Sequence, residues 1–450
     1  MQPKAFIQTY GCQMNEHDSD RMKDVLAKEG YAFTDTAEDA SLVVVNTCSV
    51  REKPEHKMYS FLGRLRELKQ EHPGMIISVG GCVAQQEGER ILQREKSVDI
   101  VFGPDNFFRL PEMIDSVRKG ERVLMTKWQP RDKKVQNFVP EEWIESGHVD
   151  GVKAYVAITK GCDNFCTFCI VPFTRGREVS REPDNILREV SSLVQKGARE
   201  IWLLGQNVNS YNARGFDFYQ LLDAVSQVEG LERIRFTSPH PNDWNNALSD
   251  LMAERPTICS HLHLPFQAGS DRLLQMMNRQ HTIEQYLDKI RYMQSINPWI
   301  EISTDLIVGF PTETEEDFQE TLRVVEEVGF LQIYPFKYSP RPGTKAEKLD
   351  DNVPREVKEE RLARVIELHE RLNPALMNRY VGTTHKVLID GAHAKLRGVM
   401  NGRTEGYRPV SVYGEHLEIG DVVEVRITEA KRHWLLGELL TGAPVLTTTD

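Results

Sequence analysis

Short apolar runs alternate with amphipathic stretches through the first part of the chain. Residues 4–9, 41–46 and 75–79 are strand-sized and apolar, while 18–29, 57–71 and 86–94 carry helical spacing. A further helix is predicted over 105–117. Strands of this length alternating with helices predict a parallel sheet covered by helices. Gly30 and Pro73-Gly74 stand where helices should stop. Residues 121–150 break the pattern: Lys127, Arg131, Lys133 and Lys134 precede Glu141-Glu142, which predicts a linker or an extended crossing segment.

A second alternation starts at residue 151. Strands are predicted over 154–159, 200–204, 233–237, 261–264, 301–307 and 331–334, with helices over 183–195, 218–228, 283–294 and 315–328. Six such units predict a partial (β/α)6 barrel, a fold that places its chemistry at the carboxyl ends of the strands. Residues 353–371 form a charged connecting helix. Beyond it, alternating runs at 381–390, 394–400, 407–412, 421–427 and 434–439 are separated by Asp390-Gly391, Asn401-Gly402, Gly414 and Gly420. They predict a small antiparallel β-barrel. The expected fold class is therefore α/β. Its domains are 1–120 (a parallel α/β unit), 121–150 (linker), 151–375 (partial barrel), 376–442 (small β-barrel) and 443–450 (a loose tail).

Composition narrows the function. With 56 Lys and Arg against 67 Asp and Glu, the 450-residue chain carries a net charge of −11. Phosphate affinity comes mainly from Lys and Arg, so the chain reads as a poor general DNA binder while a local basic face for one RNA stays open. A hydrophobic share of 40% and a charged share of 27% exclude wholesale disorder. No apolar run approaches the roughly 18 residues of a membrane span, and no secretory signal pattern opens the chain. Seven cysteines in such a chain point to metal ligation or catalysis before disulfides, in a reducing compartment, the cytoplasm.

Cys162, Cys166 and Cys169 form a CxxxCxxC spacing directly after the first barrel strand. Three thiolates on one loop can hold three irons of a 4Fe-4S cluster and leave the fourth open. An open iron can chelate the amino and carboxylate groups of a small molecule. Zinc is the rival, but it wants a fourth protein ligand. Cys259, the other barrel cysteine, reads as a core residue. Three more cysteines, Cys12, Cys48 and Cys82, end the first three strands of the N-terminal unit at intervals of 36 and 34 residues. The carboxyl ends of neighbouring parallel strands converge on one crevice, and Gly11 and Gly80-Gly81 permit tight turns there. This trio is again one ligand short of closing a cluster.

CxxxCxxC after the first strand of a partial barrel resembles the radical S-adenosylmethionine superfamily. From Lys4 to Gly442 the chain resembles its methylthiotransferase family, which joins a three-cysteine domain, a radical barrel and a TRAM domain. Thr9-Tyr10-Gly11-Cys12-Gln13-Met14-Asn15 and the stretch from Phe165 to Arg181 are most similar to the branch acting on N(6)-isopentenyladenosine in tRNA. Thr312 departs from the pattern where a glycine is common. The resemblance implies two 4Fe-4S clusters. Cys162, Cys166 and Cys169 would ligate the radical-generating one, and Cys12, Cys48 and Cys82 an auxiliary one that supplies sulfur. S-adenosylmethionine would serve as radical source and methyl donor. The target would be carbon 2 of the modified adenine at tRNA position 37. Implied partners are the tRNA anticodon stem-loop, an electron donor such as flavodoxin or ferredoxin, and a sulfur or cluster delivery system. The rivals are the same chemistry on a ribosomal-protein aspartate or on threonylcarbamoyl adenosine, and a non-catalytic metal-bearing RNA-binding protein.

Other residues are candidates by position. Gln206, Asn207, Ser238, Gln267, Ser270, Asp305 and Gly309 lie at or just after barrel strands two to five, where they would hold S-adenosylmethionine or merely cap helices. Arg175, Arg177 and Arg181 suit either an anionic ligand or internal salt bridges. His261 and His263 face the same way, as core or loop hydrogen-bonding residues. In the small barrel Arg397, Arg403, Tyr407, Arg408, Lys431 and Arg432, with Arg426 and Trp434, are candidates for holding phosphates and stacking exposed bases. A single-stranded loop fits, because the target base must be splayed out to react.

Overall fold

The structure is a computed structural model and describes residues 2–49, 52–128 and 135–440. The tail expected at 443–450 and the linker's Arg131, Lys133 and Lys134 lie outside the described residues.

The N-terminal unit runs β1 (Lys4–Tyr10), α1 (Gln13–Lys28), β2 (Ala32–Phe33), β3 (Leu42–Thr47), α2 (Glu52–Glu71), β4 (Ile76–Gly81), α3 (Cys82–Glu87), α4 (Glu89–Arg94), β5 (Ile100–Phe102), α5 (Leu110–Arg118) and β6 (Val123–Met125). Its strands are all parallel, in the order β2-β1-β3-β4-β5-β6. β3 is buried along its whole length, as a strand covered on both faces must be. Val43 and Val45 pack with Leu62 of α2, while Leu42 and Val44 pack on the other face with Met22 and Leu26 of α1. The strand order reverses between β1 and β3, which opens a crevice at their carboxyl ends.

Three features differ from the expected pattern. α1 starts at Gln13, directly behind Cys12, because Cys12 itself serves as the N-cap. The helix expected over 86–94 is two short ones, divided by Gly88 at φ +51°. The sheet also continues past residue 120, since β6 pairs with β5. The described remainder of the crossing segment lies against the barrel, with the Gln136 N–H donating to Ser180 O at 2.9 Å.

The barrel runs β7 (Lys153–Ala157), β8 (Thr159–Lys160), α6 (Val171–Thr174), β9 (Val179–Ser180), α7 (Pro183–Gln195), β10 (Glu200–Leu204), β11 (Asn212–Ala213), β12 (Phe216–Asp217), α8 (Phe218–Ser226), β13 (Arg233–Phe236), α9 (Asn246–Glu254), β14 (His261–His263), α10 (Asp271–Met276), α11 (Ile283–Ile296), β15 (Glu301–Val308), α12 (Glu315–Val328) and β16 (Gln332–Lys337). Its six principal strands form two parallel sheets, β7-β10-β13 and β14-β15-β16, joined by a bridge between Ile234 and Ile258. An open arc of six strands results. Val156, Ile201, Leu203, Ile234, Leu262 and Leu306 contribute to its single large core.

α13 (Arg355–Asn378) leads to β17 (Thr384–Ala392), β18 (Val399–Thr404), β19 (Pro409–Tyr413), β20 (Val422–Ala430) and β21 (Leu435–Leu439), which close in the order β17-β18-β19-β21-β20. The pairing is antiparallel except between β19 and β21. The strand expected at 394–400 sits later because the His393 ring accepts N–H bonds from Lys395 at 3.2 Å and Leu396 at 3.1 Å, folding that stretch into a turn.

The small barrel docks at the amino ends of the large barrel's strands. Glu301, the first residue of β15, accepts from Tyr380 at 2.5 Å, Arg379 at 2.8 Å and Arg408 at 3.0 Å. Arg233, the first residue of β13, donates to the carbonyl of Arg403 at 2.7 Å. Lys153, the first residue of β7, pairs with Asp390 at 3.1 Å. Buried charges need such partners, since an unpaired one costs several kcal/mol. The opposite, carboxyl end of the arc is left for the N-terminal unit and the cysteine loop.

Candidate functional site

Gly161 turns the chain from β8 into the cysteine loop at φ +80°, and a Cβ there would collide with the carbonyls of Gly176 and Arg177. Its N–H donates to Gln206 Oε1 at 2.5 Å, and Cys162 N–H donates to Gly176 O at 3.2 Å. Asn278 Nδ2 donates to the carbonyls of Asn164 and Phe165 at 3.1 and 3.2 Å. Arg279 Nη1 lies 3.6 Å from Cys166 Sγ. The loop is thus clamped at its start and in its middle. Burial pushes the Cys162 and Cys169 thiols up to about 12, so a metal ion would have to displace their protons.

The backbone at the mouth is unusual. Phe165, Ser238, Gln267, Asn278, Gln280 and Thr312 all take positive φ. Such conformations cost about 1–3 kcal/mol each and cluster at functional sites. Beside them lie buried polar atoms without hydrogen-bond partners: Asn207 Oδ1, His240 Nε2, Arg279 Nε and His281 Nε2. The two imidazoles stand 6.0 Å apart. His240 Nδ1 accepts from Asn242 N–H, which assigns the proton to Nε2. His281 Nδ1 bonds Arg279 O, which leaves its Nε2 as an acceptor. Burial, helped by the Arg279 charge, holds His240 down at about 2 and His281 at about 4, so both rings are neutral. Orphaned buried polar groups ask for a ligand or water. A polar ligand at the mouth would find two donors and two acceptors.

The candidates named from strand position divide. Gln206 braces the cysteine loop, and Asn207 Nδ2 is held by Asp243 at 2.8 Å with the side-chain Oδ1 left without a partner. Ser238 and Gln267 stand at strand ends in strained backbone. Ser270 is taken up by Asp317 at 2.5 Å. Asp305 faces His263 at 3.5 Å, and Gly309 N–H donates to Glu313 at 2.6 Å. These last three are engaged internally. So are Arg175 with Asp18, Arg177 with Asp163 and Arg181 with Glu189. His261 and His263 share Ser303 Oγ at 3.1 and 3.0 Å. Cys259 is 1% exposed, a core residue. Sequence reasoning missed His240, Arg279 and His281. For Arg279 and His281 the available signal was the polar run from Asn278 to His281 between α10 and α11; His240 had none.

The other trio forms where β1, β3 and β4 end. Cys12 caps α1, Cys48 follows β3 and Cys82 opens α3. Two buried amides hold these ends together. Asn15 Nδ2 donates to Asn46 Oδ1 at 3.1 Å and to Thr47 O at 3.3 Å, and Asn46 Nδ2 donates to Asn15 O at 2.9 Å. Asn15 Oδ1 accepts from Cys12 N–H at 3.4 Å. A Cβ on Gly11 would strike Asn15, and one on Gly81, at φ +93°, would strike Asn46 and Thr47. The glycines are therefore required by close approach. Cys12 stands at the open mouth of this crevice, accessible to solvent yet partly desolvated by the dense walls, whereas Cys48 and Cys82 are buried. A hydrogen bond with Cys48, helped by the Arg175 charge, brings the Cys12 thiol down to about 6, while burial pushes Cys82 up.

Among the described residues, no three His, Cys, Asp or Glu side chains close on a point where one metal ion could sit. An iron–sulfur cube offers separate iron corners to separate thiolates and needs no common point. The donor set of each trio, three thiols and no imidazole or carboxylate, fits that group.

Comparison with known proteins agrees domain by domain. Residues 4–103 match the Uncharacterized protein family UPF0004, residues 156–325 the Radical SAM superfamily and residues 378–440 the TRAM domain. The tRNA-2-methylthio-N(6)-dimethylallyladenosine synthase of Alkalilimnicola ehrlichii is 47% identical over 98% of both chains. Those of Paraburkholderia xenovorans and Bdellovibrio bacteriovorus are 45% and 46% identical, over 98% and 97% of this chain and 98% and 95% of theirs. The chain belongs to the tRNA-2-methylthio-N(6)-dimethylallyladenosine synthase family. Members of the radical SAM superfamily use a 4Fe-4S cluster with S-adenosylmethionine. The fold is also shared with the radical S-adenosylmethionine methyltransferase TsrM from Kitasatospora setae, at TM-score 0.56 and 15% identity over 77% of this chain and 74% of that one. No helix among the described residues is long and apolar enough to cross a membrane.

Within this family assignment, the small barrel corrects part of the RNA expectation. Arg408 is 2% exposed and donates Nε and Nη2 to the two carboxylate oxygens of Glu301, while its Nη1 turns to Asn373 and Met377. Tyr407 packs between His261 and Trp202. Arg403 lies over the Tyr407 ring and pairs with Asp390 at 3.4 Å. These three belong to the joint between the barrels. Arg397, Arg426, Lys431, Arg432 and Trp434 are exposed, with Lys431 beside Glu429 and Arg432 beside Glu370.

Proposed function

We propose that this protein methylthiolates carbon 2 of N(6)-isopentenyladenosine at position 37 of tRNA, beside the anticodon. Near-full-length identity to relatives named for that product carries the reading. Cys162, Cys166 and Cys169 would hold the cluster at the barrel mouth, and Cys12, Cys48 and Cys82 a second one. When bound, the first cluster with S-adenosylmethionine supplies one-electron chemistry and the second supplies sulfur, while a further S-adenosylmethionine supplies the methyl group.

The chain's own residues have positioning tasks. Gln206 and Asn278 hold the loop backbone so that its thiols keep their spacing. Asn207 and His281 offer acceptors, and His240 and Arg279 donors, to the polar groups of S-adenosylmethionine. Neutral imidazoles orient without adding charge beside an already cationic sulfonium. Exposed Arg397, Arg426, Lys431 and Arg432 supply phosphate contacts, and Trp434 a stacking face, for an anticodon stem-loop. An electron donor such as flavodoxin or ferredoxin and a sulfur or cluster delivery system complete the cycle, in the cytoplasm.

Nucleoside mass spectrometry of tRNA from a deletion strain tests this reading. The methylthio group should vanish from the isopentenyl adenosine and return on complementation. A methylthio group retained on the isopentenyl adenosine, and lost instead from threonylcarbamoyl adenosine or from a ribosomal protein, contradicts it.

A further inference from the structure

We infer that Arg175, a residue of the large barrel, is the positioning and charge-setting residue of the N-terminal cysteine trio. The inference rests on the reading that Cys12, Cys48 and Cys82 ligate an iron–sulfur cluster. Arg175 caps α6, the short helix that follows the CxxxCxxC loop. α6 packs against α3, whose first residue is Cys82. The Arg175 side chain is buried at 3% exposure and its Nη2 donates to Asp18 Oδ2 at 2.7 Å. Asp18 lies on α1, the helix that Cys12 caps. The guanidinium thus enters the crevice of the other domain with one carboxylate as partner, between the elements that present two of the three thiols. It also hydrogen-bonds the Cys82 side chain.

A guanidinium cannot give up its proton, so it stays a fixed buried cation. Cluster potentials respond to net charge and to hydrogen bonds at the sulfurs. Taking up an electron adds negative charge, so a buried cation nearby favours the reduced form and a buried carboxylate opposes it. Arg175 and Asp18 should therefore act with opposite signs on the same site. Because Arg175 is carried on the segment leaving the first cysteine loop, it also ties the backbone of one trio to the ligands of the other.

The test uses the full chain with Cys162, Cys166 and Cys169 all replaced by Ala, so that only the N-terminal trio can hold iron. After anaerobic reconstitution this parent should hold about four irons. A folded parent without iron overturns the underlying reading and the inference with it. With iron present, a redox titration followed by electron paramagnetic resonance reads the midpoint. Arg175→Met should lower it, Asp18→Asn should raise it, and Arg175→Lys, which keeps the charge, should stay near the parent. Shifts of one sign in Arg175→Met and Asp18→Asn, as loosened packing alone would give, overturn the inference and leave the two-cluster reading standing. So does the absence of any shift. Should Arg175→Met fail to fold, a raised midpoint in Asp18→Asn with an unmoved one in Arg175→Lys still supports it, and an unmoved Asp18→Asn overturns it.

Discussion

Cys162, Cys166 and Cys169 lie on one loop, braced by Gln206, Asn278 and Arg279 from neighbouring loops. Cys12, Cys48 and Cys82 come from three strand ends and meet through sheet register and one buried amide pair. The first trio is a local device: its spacing is written in the sequence, and its supports act from outside. The second is a product of the fold, so anything that shifts β1, β3 or β4 by a fraction of an ångström moves a thiol. Equal donor chemistry therefore comes with unequal tolerance to change.

The comparison breaks most sharply at the thiols themselves. Cys162→Ala should abolish reductive cleavage of S-adenosylmethionine and all product. Cys12→Ala should abolish product but leave cleavage. Both losses should exceed the roughly 10–100-fold typical when a residue behind a metal ligand is removed. Assay of 5′-deoxyadenosine and of methylthiolated RNA in the same anaerobic reaction checks both. If Cys12→Ala also stops cleavage, the trios do not divide the work.

The unequal tolerance can be measured one step further out. Gly81→Ala should cost about 1–3 kcal/mol, because the new Cβ meets Asn46 and Thr47 in a left-handed backbone. Asn46→Ala should cost about 1–3 kcal/mol by leaving the buried Asn15 amide short of a partner. Denaturant melts give the stability, and iron content should fall at the N-terminal trio only. Asn207→Ala, at the other site, should reduce affinity for S-adenosylmethionine while iron is retained.

Acidity should separate the regions again. His240 and His281 sit at about 2 and about 4 in the folded chain, below their ordinary 6.5. The unfolded chain therefore takes up protons first, and the stability is present above about 6.5 and lost as pH falls below it. Between pH 7.5 and 5.5 each ring should remove about 1 kcal/mol. Urea midpoints at the two pH values check this, and His240→Gln should flatten the slope. The smallest effect is expected at the RNA face. Arg426→Ala or Lys431→Ala should weaken stem-loop binding a few-fold at low salt and less at high salt. Arg408→Ala should instead destabilise the joint to Glu301.

Much of this was legible from the chain. CxxxCxxC needs no fold to be read, and the N-terminal trio was legible because each cysteine follows a strand-sized apolar run. Residues that act across the structure were not. Asn15 and Asn46 are far apart in sequence and look like ordinary turn formers until β1 and β3 align them. Arg175 looks like any basic residue until α1 is docked beside it. Alternation in the small barrel shows which side chains point outward, but not that Tyr407 and Arg408 point into the floor of another domain. His240 and His281 gain meaning only from burial, which no local pattern reports.

Iron counting on anaerobically reconstituted protein tests the two-trio account most directly. Wild type should hold about eight irons per chain, and each triple alanine variant, of Cys12, Cys48 and Cys82 or of Cys162, Cys166 and Cys169, about four. About four irons in the wild type, all lost when one trio is removed and unchanged when the other is, would contradict it.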